Sequence, residues 1–108
     1  MSIDQNKVNG LLGLASRAGK IVCGSDAVEE AICRKKVKLV IIANDSSEKT
    51  KEKFTNICVK NEIKYEIYGN IEFNSKAIGK SNKAIIGISD NNFANAILER
   101  IYGGGTIG

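Results

Sequence analysis

Val8, Leu11, Leu12 and Ala15 recur at i, i+3, i+4 and i+7, the spacing that places apolar side chains on one face of a helix. Leu14 and Ala18 fall at the edge of that face, and Gly19 supplies the left-handed residue that commonly closes a helix. A short apolar run, Ile21-Val22-Cys23, then stops at Gly24. Beyond it Val28, Ala31, Ile32 and Lys35 line one side of a second helix, predicted from Asp26 to about Lys35. Residues 37–43, VKLVIIA, are almost continuously apolar and rich in β-branched side chains, as expected of a strand buried on both faces. Asp45, Ser46 and Ser47 are adequate N-caps for a third helix whose apolar side is Phe54, Ile57 and Cys58, running to about Asn61. Residues 64–69 alternate and predict a third strand; residues 71–78 predict a short helix closed by Gly79. Residues 83–89 predict a second fully buried strand. Asn91 or Asn92 opens a last helix, with Phe93, Ala94, Ile97, Leu98 and Ile101 facing inward.

The order α-β-α-β-α-β-α-β-α implies an α/β protein, a single-domain three-layer α/β/α sandwich on a four-stranded mixed sheet. The domain is expected over residues 1–102, followed by a glycine-rich tail, 103–108, too poor in apolar side chains to hold structure. Proline is absent, so turns rest on glycine, asparagine and serine.

Composition narrows the function classes. A chain of 108 residues with 43% apolar and 26% charged side chains suits one globular domain, expected as a monomer. No apolar run approaches the ~20 residues of a membrane helix, and the N-terminus lacks the basic start and apolar middle of a secretion signal. A cytoplasmic protein without a membrane partner is the expectation. Three widely spaced cysteines, Cys23, Cys33 and Cys58, with no histidine, form neither a zinc pattern nor a disulfide framework. They are expected to be small buried thiols. The net charge of +4 permits a nucleic-acid partner without requiring one.

Enzyme chemistry finds little footing. Without histidine the usual general base is missing. The segment GLLGLASRAGK ends in Gly-Lys but lacks the preceding strand and glycine spacing of a phosphate loop. Asp26 with Glu29 or Glu30 could face a divalent ion, but Asp26 followed three residues later by Glu29 reads more readily as a capping box. No catalytic residue, metal or cofactor is expected.

Binding has more support. Gly24 has no Cβ and admits a close backbone approach. The amides that follow it open a helix and carry partial positive charge toward phosphate or a base edge. Arg17, Lys20 and Arg34 flank that turn. A second basic junction, Lys80-Ser81-Asn82-Lys83 before Ala84, would suit a nucleic-acid backbone if it lay at the same end of the sheet. Neither segment holds an aromatic residue, so base stacking on one is not the mode. The plain alternative is a pair of ordinary turns carrying solvated lysines.

The layout Gly24-Ser25-Asp26-Ala27-Val28, then Ala31-Ile32, then KVKLVIIANDSS and KAIGKSNKAIIGISD, resembles the kink-turn RNA-binding ribosomal-protein superfamily of the L7Ae and L30e classes, and within it the short bacterial YlxQ-type members. The resemblance covers roughly residues 8–101. It implies binding to sharply bent RNA elements with tandem sheared G·A pairs, possible ribosome association, and no DNA partner. By position, it assigns Gly24, Ser25, Asp26, Ala27 and Glu30 to the opened RNA groove, with Lys20 nearby. It assigns residues 80–83 and Ala84 to the loop over the bulged nucleotides. Recognition of this kind reads shape, because a kink opens a groove that regular A-form RNA keeps too narrow.

The chain departs from the family's usual Gly-x-Asn-Glu-x-x-Lys turn: asparagine is Asp26, glutamate is Ala27 and lysine is Glu30. Asp26 can still accept from a guanine N–H, Ala27 cannot accept, and Glu30 offers an acceptor where the family has a donor. Each lost base contact costs about 1–3 kcal/mol by analogy with DNA readout. The family's Leu-Gly-x-Ala-x-Gly becomes Asn74-Ser75-Lys76-Ala77-Ile78-Gly79, keeping its second half. Three readings follow. The first is an RNA-binding protein held by the amides of residues 24–27 and by Lys20, Arg34, Lys80 and Lys83. The second is a protein-interaction module on the same fold, suggested by the acidic Asp26, Glu29 and Glu30. The third, most remote, is an enzyme.

Overall fold

The computed structural model of the chain describes residues 2–103. Helices and strands alternate as α1 Ser2–Arg17, β1 Ile21–Cys23, α2 Ser25–Cys33, β2 Leu39–Ile42, α3 Glu48–Lys60, β3 Lys64–Ile67, α4 Ile71–Ala77, β4 Ile85–Ile88 and α5 Asn91–Ile101. The strands form one mixed sheet in the order β1-β4-β2-β3. β4 runs antiparallel to both β1 and β2, while β2 and β3 are parallel across the α3 crossover.

The continuous apolar runs become the central strands, and every residue of β2 and β4 is buried. Alternation splits their side chains between two cores. Leu39, Ile41, Ile86 and Ile88 meet Val8 and Leu12 of α1 and Ala94 and Ile97 of α5. Val40, Ile42 and Ile85 meet Val28 and Ile32 of α2 and Phe54 and Cys58 of α3. The sheet is thus covered on both faces. Gly87 lies on the α2 side, where an added Cβ would already touch the Val37 methyls at 3.4 Å and Val28 at 3.6 Å, so α2 packs close to the sheet there. None of the helices among the described residues is long and apolar enough to cross a membrane.

Three expectations need correction. The strands are shorter than their apolar runs. At the start of β4, Lys83 turns its backbone to the Ser75 hydroxyl instead of a neighbouring strand, and β3 ends before Gly69, whose φ of 67° leaves the extended region. The cysteines are not all buried: Cys58 is, Cys23 is half-buried and Cys33 is exposed. Cys33 directly follows the buried Ile32, but one residue along a helix rotates the side chain by about 100°, which carries it out to solvent. Third, Gly24 rather than Asp26 is the cap of α2, as described below. Of the expected tail, residues 104–108 lie outside the described residues.

Candidate nucleic-acid interface

The β1–α2 turn is built on Gly24. Its φ of 94° and ψ of 147° fall in a region that only glycine occupies without strain. Its N–H closes the end of the sheet by donating to the Ile85 carbonyl at 2.9 Å, and its carbonyl accepts the first helical bond, from Val28 N–H at 3.0 Å. Gly24 is the N-cap of α2, and no side chain among the described residues caps that end. The capping box expected at Asp26 and Glu29 therefore does not form: Asp26 already sits inside the first turn, too far along to cap it. Glu29 instead reaches Lys53 of α3 at 3.1 Å. Helices α3, α4 and α5 are each capped by a side chain, from Ser47, Asn70 and Asp90. At α2 the amides of residues 25–27 have no intrahelical acceptor, and Ser25, Asp26 and Ala27 are all exposed.

The 80–83 loop reaches the same end of the sheet. Lys83 brings its Nζ to 3.9 Å from the point where a Cβ on Gly24 would stand. Buried Ser75 of α4 holds the loop from beneath: its hydroxyl accepts from Lys83 N–H at 2.7 Å and donates to the Lys83 carbonyl at 3.2 Å. The Ser75 carbonyl in turn accepts from Lys80 N–H at 2.8 Å. One residue thus fixes both ends of the loop. Between them Asn82 is left-handed, at φ 58°, and Lys80, Ser81 and Asn82 are exposed. The Ala84 carbonyl accepts from Ala43 N–H at 2.9 Å and ties the loop's exit to β2. Beside the loop lies an open groove of about 550 Å³, bounded by Asp45, Ile71, Glu72, Lys76 and Ser81. The Asp45 carboxylate accepts from Ile71 N–H at 2.9 Å, so the wall of the groove opposite the loop is also braced.

Not every residue singled out from the sequence joins this surface. Lys20 is not beside the turn. It precedes β1 and its carbonyl accepts from Ser89 N–H at 2.9 Å, which puts it roughly 13 Å from Gly24 at about 3.3 Å per residue. Arg34 caps the opposite end of α2, about 15 Å away at 1.5 Å per residue. There its guanidinium pairs with Glu30 at 3.1 Å, so Glu30 and Arg34 meet each other. The residues brought together are Gly24, Ser25, Asp26 and Ala27 with Lys80, Ser81, Asn82, Lys83 and Ala84. The loop brace at Ser75 escaped sequence reasoning. Its only trace was the polar Asn74-Ser75 pair at an otherwise apolar stretch of the family pattern, and both side chains are buried.

The geometry can be set beside known proteins. A family model described as the ribosomal protein L7Ae/L30e/S12e/Gadd45 family matches residues 6–97. An RNA-binding protein YlxQ from Enterococcus faecium is 38% identical over 101 residues, covering 93% of this chain and 96% of the relative. A protein of the same name from Bacillus subtilis (strain 168) is 34% identical over 88 residues, covering 82% of this chain and 88% of its own. Among solved structures, a Bacillus halodurans protein of unknown function superposes with a TM-score of 0.86 at 33% identity, over 89% of this chain and 97% of that one. A Giardia lamblia 15.5kD RNA binding protein shares the fold, with a TM-score of 0.77 at 18% identity over 97% of this chain and 90% of that one. With its sheet order, its paired junctions and a family match spanning nearly its whole length, the chain belongs to the L7Ae/L30e/S12e/Gadd45 ribosomal-protein family.

Proposed function

We propose that this protein binds RNA, without catalysis, by reading the shape of a kink-turn or a similarly bent element. The observation that carries the reading is the meeting of two junctions distant in sequence: Gly24 and the Lys83 ammonium lie side by side at one end of the sheet. The amides of residues 25–27 would donate to phosphate or base acceptors in the opened groove. Asp26 would accept from a guanine N–H, and Lys80 and Lys83 would neutralise phosphates. The groove beside the loop, with Ile71 in its wall and hydroxyl, amide and ammonium groups on its rim, would accommodate a nucleotide extruded at the bend. The bacterial relatives, both named RNA-binding protein YlxQ, support the same class of partner. A ribosomal RNA kink-turn is one candidate, and co-sedimentation with ribosomes tests it.

The protein-docking reading weakens on this structure. Two of its three acidic residues are engaged within the chain, Glu29 with Lys53 and Glu30 with Arg34. The test of the RNA reading is a gel shift comparing a kink-turn duplex with a straight duplex of equal length. Preferential binding to the bent RNA, weakening steeply with salt, is expected. Equal affinity for the two would remove shape reading.

A further inference from the structure

The opposite end of the sheet carries a second concavity, of about 340 Å³, which the reading above does not use. It lies where Lys38 N–H donates to the Ile88 carbonyl at 2.7 Å, the far end of β4 from Gly24 and Ile85. That is about 10 Å along the strand at 3.3 Å per residue. α2 and α3 finish there, β3 begins there and α5 starts there.

Three chemistries converge on it. Lys35, Lys38 and Lys64 stand on its rim, and none of them takes part in an ion pair among the described residues. Among the described residues Glu62 is the one acidic side chain on the rim, so the local balance favours an anion. Asn61, Asn91 and Asn95 add carboxamides. Asn61 spends an N–H on the Ile57 carbonyl, at 2.8 Å, which leaves its oxygen as an acceptor. The floor is apolar: Ile32, Val37 and Ala94 are buried, and Leu98 and Ile63 partly so. The α5 terminus is not the source of attraction, because the Asp90 carboxylate already accepts from Phe93 N–H at 2.9 Å.

We infer that this pocket holds a nucleoside monophosphate unit. An inorganic anion would use the ammonium groups and leave the apolar floor idle. An apolar ligand would leave three unpaired lysines and three carboxamides idle. A nucleotide uses all three: its phosphate meets Lys35, Lys38 and Lys64, its base covers the floor, and the carboxamides bond to base edges. The unit comes either as a free nucleotide or as one residue of an RNA strand.

The experiment is a titration of the full ¹⁵N-labelled chain, watched by amide shifts, with AMP, with inorganic phosphate and with a short single-stranded RNA. AMP is expected to move the amides of Lys38, Ile63, Lys64, Asn91 and Asn95 at concentrations at least ~10-fold below those phosphate needs, since the floor and carboxamides add to the charge. Lys38→Glu and Lys64→Glu, both at exposed sites, are expected to lose at least ~10-fold in this affinity while the spectrum stays folded. Lys64→Gln serves if either charge reversal disturbs the fold. An RNA strand shifting these amides more tightly than AMP identifies the source as a strand; AMP binding as well or better identifies a free nucleotide. Phosphate acting as strongly as AMP overturns the nucleotide assignment. Silence of these amides toward AMP and RNA alike, or unchanged shifts in the charge variants, overturns the site. The readout is remote from residues 24–27 and 80–83, so it is independent of the kink-turn test.

Discussion

Replacing Gly24 with alanine adds one methyl group and isolates the backbone strain at the centre of the proposed surface. Space is not the obstacle, because the nearest heavy atom to the new Cβ is Lys83 Nζ at 3.9 Å. The dihedrals are. At φ 94° and ψ 147° an L side chain is held in a sparsely populated region that costs about 1–3 kcal/mol. The gain from restricting the unfolded chain, about 0.4–1 kcal/mol for glycine to alanine, offsets only part of it. A net loss of roughly 1–2 kcal/mol is expected, which lowers the melting temperature of a chain this size by about 4–8 °C. Gly10→Ala is the internal control. Gly10 sits within α1, exposed, with nothing among the described residues within 4 Å of an added Cβ. The same methyl there should stabilise by about 0.8–1 kcal/mol. Thermal melts followed by circular dichroism would read both. Gly24→Ala melting at or above the parent protein would refute the claim that this turn demands glycine. On the proposed mode of binding the variant should also hold a kink-turn more weakly, since the methyl would stand between the turn and the RNA.

Further predictions follow from neighbouring features. Ser75→Ala removes both hydrogen bonds to Lys83, and a part-buried pair of backbone groups losing its partner costs about 1–3 kcal/mol; RNA affinity should fall several-fold while the α-helical circular dichroism is unchanged, and Ser75→Thr should retain more binding than Ser75→Ala. The double variant Asp26→Asn, Ala27→Glu restores the family's side chains on the exposed start of α2 and should tighten kink-turn binding at least ~10-fold, at about 1–3 kcal/mol per regained contact; unchanged affinity in a gel shift would mean the turn is not in the groove. Burial pushes the Cys58 thiol up to about 11, so Cys33 should react first with a thiol reagent and Cys58 only on unfolding. For the same reason Cys58 favours the folded state fully below pH 9, and that contribution should decline as pH rises from about 9 toward about 11, because the unfolded chain then releases a proton that the folded one keeps.

The elements were legible where one physical signal dominated. Residues 37–43 and 83–89 each hold a β-branched apolar stretch with little polar alternation, the signal of a strand covered on both faces, and both proved fully buried over the paired residues. The order β1-β4-β2-β3 was not legible, since it depends on pairings between three- and four-residue strands far apart in the chain. The closeness of Gly24 and Lys83 is a product of that order: β1 and β4 pair antiparallel, so the end of one meets the start of the other. Lys20 and Arg34 looked adjacent to the turn because they are close to it in sequence, yet β1 and α2 each carry one of them away from Gly24, toward the far end of the sheet. Asp26 looked like a cap because its spacing to Glu29 fits one. The helix starts a residue before it, and Glu29 has a better partner in Lys53. Ser75 carried only a faint signal, the polar Asn74-Ser75 pair, because polar residues in a short helix read as solvent-facing until their neighbours are known.

The proposed RNA contact needs the β1–α2 turn and the 80–83 loop to act as one composite surface. Amide shift mapping of the full chain with a kink-turn RNA tests it most directly. Residues 24–28 and 80–84 should move together, with the same RNA dependence, and a straight duplex should leave them in place. Shifts confined to one of the two segments, or matched by the straight duplex, would contradict it.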